Sequence, residues 1–160
     1  MNKIKANIKI RTTTVEDVEP IFKLNKKMAD RGLMLPRNRY KILEMLSNFL
    51  VAENGEGEIV GCGALGLIWV DLGEVMALAV EDKYQGMGIG GRIVGELLKK
   101  AVQLKIPEVI TLTYQVEFFK NLGFSVTEKD NFPKRVWRIC LDCPKLESCD
   151  ETGLHIILDD

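Results

Sequence analysis

A mixed α/β fold, one mostly antiparallel twisted sheet flanked by helices, is predicted by three features of this sequence. Apolar runs with strand character fill much of the first half and are joined by tight turn signals. One of those strands runs into a glycine-rich turn that opens a helix. A single strand–helix–strand crossover then follows the hairpins, which argues against a doubly wound parallel sheet. The length of 160 residues suits one domain, 1–160, able to bury a sizeable core.

The elements follow in order. Ile8–Thr12 reads as a strand. Thr14 caps a helix over Val15–Met28, with Asp17 at the capping-box position. A second helix is predicted over Arg39–Ser47. Phe49–Glu53 and Glu58–Val70 are strands about the hairpin turn Asn54-Gly55-Glu56-Gly57. Asp71-Leu72-Gly73 reads as another tight connection, before a strand over Glu74–Val80. In a helix over Ile89–Gln103, the residues Ile93, Val94, Leu97, Leu98 and Ala101 form one apolar stripe. A strand over Val109–Thr113 and a short helix over Val116–Asn121 come next. Short strands are predicted near Phe124–Thr127, Arg135–Cys140 and His155–Leu158.

Charge narrows the class of partner. A net charge of −1 argues against a general nucleic-acid or membrane-surface binder. Between residues 23 and 41, Lys23, Lys26, Lys27, Arg31, Arg37, Arg39 and Lys41 face one acid, Asp30. Such a stretch is most simply a solvated helix face. The first nine residues carry no apolar signal segment, and no apolar run reaches the ~18 residues of a membrane span. The expectation is a cytoplasmic protein with reduced cysteines. Cys140-x-x-Cys143 with Cys149 and His155 does not have a usual zinc spacing, so no metal is expected.

The most informative segment is Gln85-Gly86-Met87-Gly88-Ile89-Gly90-Gly91, set between an apolar strand and a helix. Glycines let the backbone approach a ligand closely, and a helix start offers unpaired N–H groups and a partial positive charge. A phosphate is the natural guest. Gly90 is followed by Gly91 and Arg92, so the lysine and hydroxyl of a nucleoside-triphosphate loop are missing. Gly86, Gly88 and Gly91 have dinucleotide spacing, yet Glu108 starts the next strand pattern rather than ending it.

The reading Gln85-x-x-Gly88-x-Gly90 after Leu78-Ala79-Val80 resembles the acetyl-CoA pyrophosphate loop of the GNAT acetyltransferase superfamily. The order of elements is similar to the layout of that superfamily too. Further segments resemble bacterial N-acetylglutamate synthases in their short, single-domain form: Leu35-Pro36-Arg37, Gly61-Cys62-Gly63-Ala64-Leu65, Glu74, Leu112-Thr113-Tyr114-Gln115, Glu117-Phe118-Phe119, Gly123-Phe124, Trp137 and the Cys140–Glu151 stretch. The likeness runs from about Ile8 to Leu158.

Chemically, acetyl transfer from a thioester to an amine needs the two reactants side by side, a base, a polarised carbonyl and a departing thiolate. Glu74, ahead of the loop on the same strand, is the candidate base, with Asp71 and Glu81 as nearby alternatives; the resemblance implies the same role for Glu74. A backbone N–H near Leu78 would polarise the carbonyl, and Leu78, Ala79 and Val80 would offer strand-edge groups to the pantetheine arm. Gln85, Gly86, Met87, Gly88, Ile89, Gly90 and Gly91 would hold the pyrophosphate. Many enzymes of the superfamily have a tyrosine four residues before the glycine of the Gly-Phe pair; here that slot is Phe119, which has no proton to give. Tyr114 is the nearest alternative acid, and a thiol of pKa about 8.5 is also a tolerable leaving group unaided.

Arg37 is the candidate for the acceptor carboxylate, since a guanidinium can grip it with two hydrogen bonds. Gln115 could address a carboxylate or an amide. The resemblance implies acetyl-CoA-dependent acetylation of the α-amino group of L-glutamate, the first step of arginine biosynthesis. Glutamine, another amino acid, a polyamine or a protein N-terminus remain alternative acceptors, and a non-catalytic acyl-CoA sensor is the rival of another class. Exposed sheet edges in this fold often pair, so a homodimer is a further expectation.

Overall fold

The computed structural model describes residues 7–128 and 151–158. The predicted strand Arg135–Cys140, Trp137 and the cysteines Cys140, Cys143 and Cys149 lie outside them. Strands β1 (Lys9–Thr12), β2 (Phe49–Glu53), β3 (Ile59–Trp69), β4 (Leu72–Val80), β5 (Glu108–Thr113), β6 (Ser125–Val126) and β7 (Thr152–Ile157) form one sheet, ordered β1-β2-β3-β4-β5-β7-β6. The β4–β5 pair is parallel and the other neighbours are antiparallel.

Helices cover both faces. On one, α3 (Ile89–Gln103) and α4 (Val116–Asn121) pack against the sheet through Ile89, Ile93, Val94, Leu97, Ala101 and Phe119. On the other, α1 (Val18–Asp30) and α2 (Arg39–Glu44) bury Ile21, Leu24, Met28 and Ile42 against Phe49, Val51, Cys62 and Ala64. The periodic stripe of α3 thus does what an amphipathic stripe should. Gly63 of β3 lets that helix lie close: a Cβ there would stand 2.8 Å from Cγ2 of Ile93. No helix among the described residues is long and apolar enough to cross a membrane.

Among the boundaries that differ from the sequence reading, β7 starts at Thr152 where His155 was expected, drawn out by its pairing with β5, and three others have a local reason. The first helical segment begins with a 3-10 turn, Val15–Asp17, where the Thr14 N–H donates to Oδ2 of Asp17 at 2.8 Å and Arg11 grips the same carboxylate. The second helix stops at Glu44 and continues as a 3-10 turn, Leu46–Asn48. The β3–β4 turn falls at Val70–Asp71, so Leu72 and Gly73 belong to β4 and Glu74 is its third residue. Leu72 is drawn into the sheet by burial against Ile110.

Candidate active site

Two neighbouring strands part company at the centre of the sheet. β4 and β5 pair only from Leu72–Glu74 to Glu108–Ile110. Beyond this the Thr111 hydroxyl donates to the Val75 carbonyl at 3.1 Å, and the strands then diverge with no further paired residues. At the same place β4 carries a bulge. The register against β3 slips by one residue between Ala64↔Met76 and Cys62↔Ala79, and Ala77 stands at φ +56°. For a residue with a Cβ that conformation is strained, by about 1–2 kcal/mol.

The split opens a cleft with two connected ends, joined by Met28, Leu78, Gln115 and Phe118, which line both. One end runs over the glycine loop. Gly86 and Gly88 both stand at φ +80°, with nothing within 4 Å of where a Cβ would project, and Gly88 is the N-cap of α3. The opening turn of a 15-residue helix, with its unpaired N–H groups, thus adjoins this end of the cleft, an arrangement suited to an anionic group. Gln85 does something the motif does not show. Its side-chain nitrogen donates to the Val80 carbonyl at 3.1 Å, bracing the loop against the end of β4. One lone pair of that carbonyl is therefore already engaged by the protein itself.

The other end holds the titratable groups. Glu74 is 7 % exposed, and its Oε1 has no hydrogen-bond partner among the described residues. Burial pushes its carboxyl up to about 7, Arg37 acting against the shift and Glu151 with it. Arg37 reaches in from the α1–α2 loop, where its guanidinium donates to the Leu35 carbonyl at 3.1 Å. Burial lowers that guanidinium from its ordinary value, while Glu74 opposes the effect. Tyr114 and Gln115 line the same end from the close of β5. Phe119 is buried edge-on to Phe118 and Phe124, at 5.0 and 5.2 Å between centroids.

The alternatives to Glu74 fall elsewhere. Asp71 is exposed in the β3–β4 turn, and Glu81 pairs with Lys27 at 3.3 Å. The basic stretch resolves as read: Lys26, Lys27, Arg31, Arg39 and Lys41 are ion-paired to neighbouring acids, while Arg37 enters the cleft. The sequence reading missed Glu151. It lines the same end as Glu74 and Arg37 because β7 pairs with β5, the Thr113↔Thr152 pair lying one residue away. Among the described residues, no group of three or more His, Cys, Asp or Glu is placed to hold a metal ion.

A sheet split beside a glycine-capped helix defines an acyl-CoA-dependent acyltransferase cleft, and comparison with known proteins agrees. The acetyltransferase (GNAT) domain family matches residues 46–126. An uncharacterized N-acetyltransferase of Chlorobaculum tepidum is 33% identical over 145 residues, 91% of this chain and 93% of the relative. An amino-acid acetyltransferase of Mycobacterium tuberculosis is 38% identical over 121 residues, 74% of this chain and 69% of the relative. Among solved structures, a Mycobacterium tuberculosis protein in complex with CoA and a second ligand superposes with a TM-score of 0.83 at 30% identity, over 94% of this chain and 99% of that one. N-acetylglutamate synthase from Neisseria gonorrhoeae, with CoA and N-acetyl-glutamate, gives 0.86 at 25% identity, over 96% of this chain and 35% of that one. This chain belongs to the GNAT acetyltransferase family. It is an acetyl-CoA-dependent acetyltransferase with amino-acid acetyltransferase homologues.

One substitution isolates the loop. Gly88→Ala strains the positive φ by about 1 kcal/mol without a clash inside the protein. Its methyl group occupies the space over the helix start. CoA affinity is expected to fall roughly 10- to 100-fold, as when one charged hydrogen bond is lost. Calorimetric titration with CoA beside urea unfolding separates the two effects.

Proposed function

We propose that this chain acetylates the α-amino group of L-glutamate, the reaction that opens arginine biosynthesis. The observation that carries the reading is the buried Glu74 carboxylate, one oxygen unpartnered, facing the cleft beside the Arg37 charge. Arg37 holds the α-carboxylate of the acceptor and Glu74 takes a proton from its ammonium. The amine nitrogen then attacks the thioester carbon. Negative charge develops on the carbonyl oxygen, where the Leu78 N–H stabilises it. The C–S bond breaks and the sulfur leaves as thiolate; it takes a proton from Tyr114 or water, which is replaced by the second proton that the attacking nitrogen loses as the amide forms. Acetyl-CoA lies along Leu78–Val80 with its pyrophosphate on Gly86–Gly91.

The homologues named amino-acid acetyltransferase, and the neighbour crystallised with N-acetyl-glutamate, support this acceptor class. Glutamine is the second reading, favoured by the neutral Gln115 and Tyr114 at the end of β5 that faces the cleft. Thiol release from acetyl-CoA, measured against the twenty amino acids, tests both. Turnover highest with glutamate is expected. Best turnover with glutamine would select the second reading, and best turnover with lysine or a polyamine would overturn the acceptor assignment. No release with any amine would favour a sensor. The enzyme is expected to act in the cytoplasm, with a homodimer as its expected assembly.

A further inference from the structure

Asn25 sits on the buried stripe of α1 among Ile21, Leu24 and Met28, and it is 0 % exposed. Its Nδ2 donates to the Ala77 carbonyl at 3.3 Å and to Sγ of Cys62 at 3.5 Å. Cys62, equally buried on β3, donates its thiol to the same Ala77 carbonyl at 3.5 Å. Two donors from two different elements thus converge on the carbonyl of the strained bulge residue. The arrangement leaves Oδ1 of Asn25 buried with no partner among the described residues. An unpaired buried acceptor opposes folding, so core stability alone does not account for an asparagine here.

The geometry of the peptide unit supplies a reason. A trans peptide is planar, and its C=O and N–H point opposite ways. The Ala77 carbonyl is drawn towards α1 and β3, so the N–H of the same unit, that of Leu78, is turned away from them, towards the split with β5. Strand alternation agrees: Ala79 pairs with Cys62, and the Glu81 N–H reaches the Val60 carbonyl at 2.8 Å, so Val80 between them and Leu78 before them turn their groups to the other side.

We propose that Asn25, with Cys62, is a positioning residue of the acetyl transfer: it locks the Ala77–Leu78 peptide so that the Leu78 N–H is fixed on the thioester oxygen. This rests on the assignment of that N–H as the group that polarises the carbonyl. Cys62 acts here as a donor in the core and not as a nucleophile. Burial pushes its thiol up to about 12, which keeps it protonated.

Asn25→Leu keeps the branching and heavy-atom count of the side chain, with bulkier methyl ends, and removes both the donor and the orphan acceptor. The expected result is a kcat at least ~10-fold lower, from a donor displaced but not deleted, with KM for acetyl-CoA unchanged. Its urea midpoint should match or exceed that of the wild type. Cys62→Ser, which retains a donor, should keep most of kcat, whereas Cys62→Ala should lose it. The direct signature is the infrared stretch of ¹³C-labelled thioester carbonyl in bound acetyl-CoA: lowered in the wild type and in Cys62→Ser, and returned towards its solution value in Asn25→Leu. A wild-type shift that persists in Asn25→Leu, with kcat intact, overturns the positioning role alone. A wild type with no shift overturns the Leu78 assignment and this proposal together.

Discussion

Glu74→Gln is expected to lower kcat by roughly 10²- to 10⁴-fold, the usual contribution of a placed general base, while acetyl-CoA still binds. The pH profile makes the test specific. With its carboxyl at about 7, wild-type Glu74 is half protonated near neutrality. kcat/KM should therefore rise with pH and level off above that value, because only the carboxylate can accept a proton. The bound ammonium favours the ionised base, so the inflection in kcat should lie lower. In the glutamine variant the residual rate should show neither inflection.

The same carboxyl has an opposite signature in stability. Its folded value, about 7, lies above the ordinary 4.5, so the folded protein holds a proton that the unfolded chain has already released. That contribution is complete below about 4.5 and is lost as pH rises through about 7. Above it, folding must bury an ionised carboxylate. A shift of this size corresponds to at most about 3 kcal/mol at ~1.4 kcal/mol per unit, and the loss of a counter-charge for Arg37 reduces the net gain. Glu74→Gln should be more stable than the wild type at pH 8.5, by roughly 1–2 kcal/mol, and no more stable at pH 4.5. A variant both inactive and destabilised at high pH would make Glu74 a structural acid.

The second large effect is expected from Arg37→Ala: a rise in the acceptor KM of roughly 30- to 1000-fold, about 2–4 kcal/mol, with KM for acetyl-CoA unchanged. Arg37 also restrains the carboxyl of Glu74, so its removal should move the kcat/KM inflection to higher pH. Arg37→Lys restores the charge but not the fork, and should recover the pH profile better than the KM. Steady-state kinetics across pH, varying acceptor and acetyl-CoA in turn, reads all three. An unchanged acceptor KM would remove Arg37 from the carboxylate site.

Most of this architecture was legible in the sequence because it is locally encoded. The α3 stripe, the Asn54–Gly57 turn and the glycine-rich approach to Ile89 each announce themselves within a dozen residues. Where boundaries slipped, at Asp17, Glu44 and Leu72, the cause was a 3-10 turn or a tertiary contact that periodicity does not carry. The glycine loop, Glu74 and Arg37 could be nominated from residue type and likeness to a family. Glu151 could not, since only the β5–β7 pairing brings it to the cleft. Asn25 left one faint mark, an amide on an otherwise apolar helical stripe. Its partner, a carbonyl more than 50 residues away, appears only when α1 lies across the β4 bulge.

The split between β4 and β5 also bears on how the molecule holds together. Among the described residues, a ladder of three residue pairs and one threonine hydroxyl makes the backbone link between β4 and β5, beside the Leu72–Ile110 packing, across the middle of a seven-stranded sheet. In the proposed complex the amide-bearing arm of the cosubstrate lies where the missing rungs would be, as a borrowed strand. The cosubstrate is then a removable part of the sheet as well as a reactant. In that complex the departure of CoA would leave the gap between β4 and β5 open, and the arrival of acetyl-CoA would fill it again, while the three paired residues hold the strands together throughout.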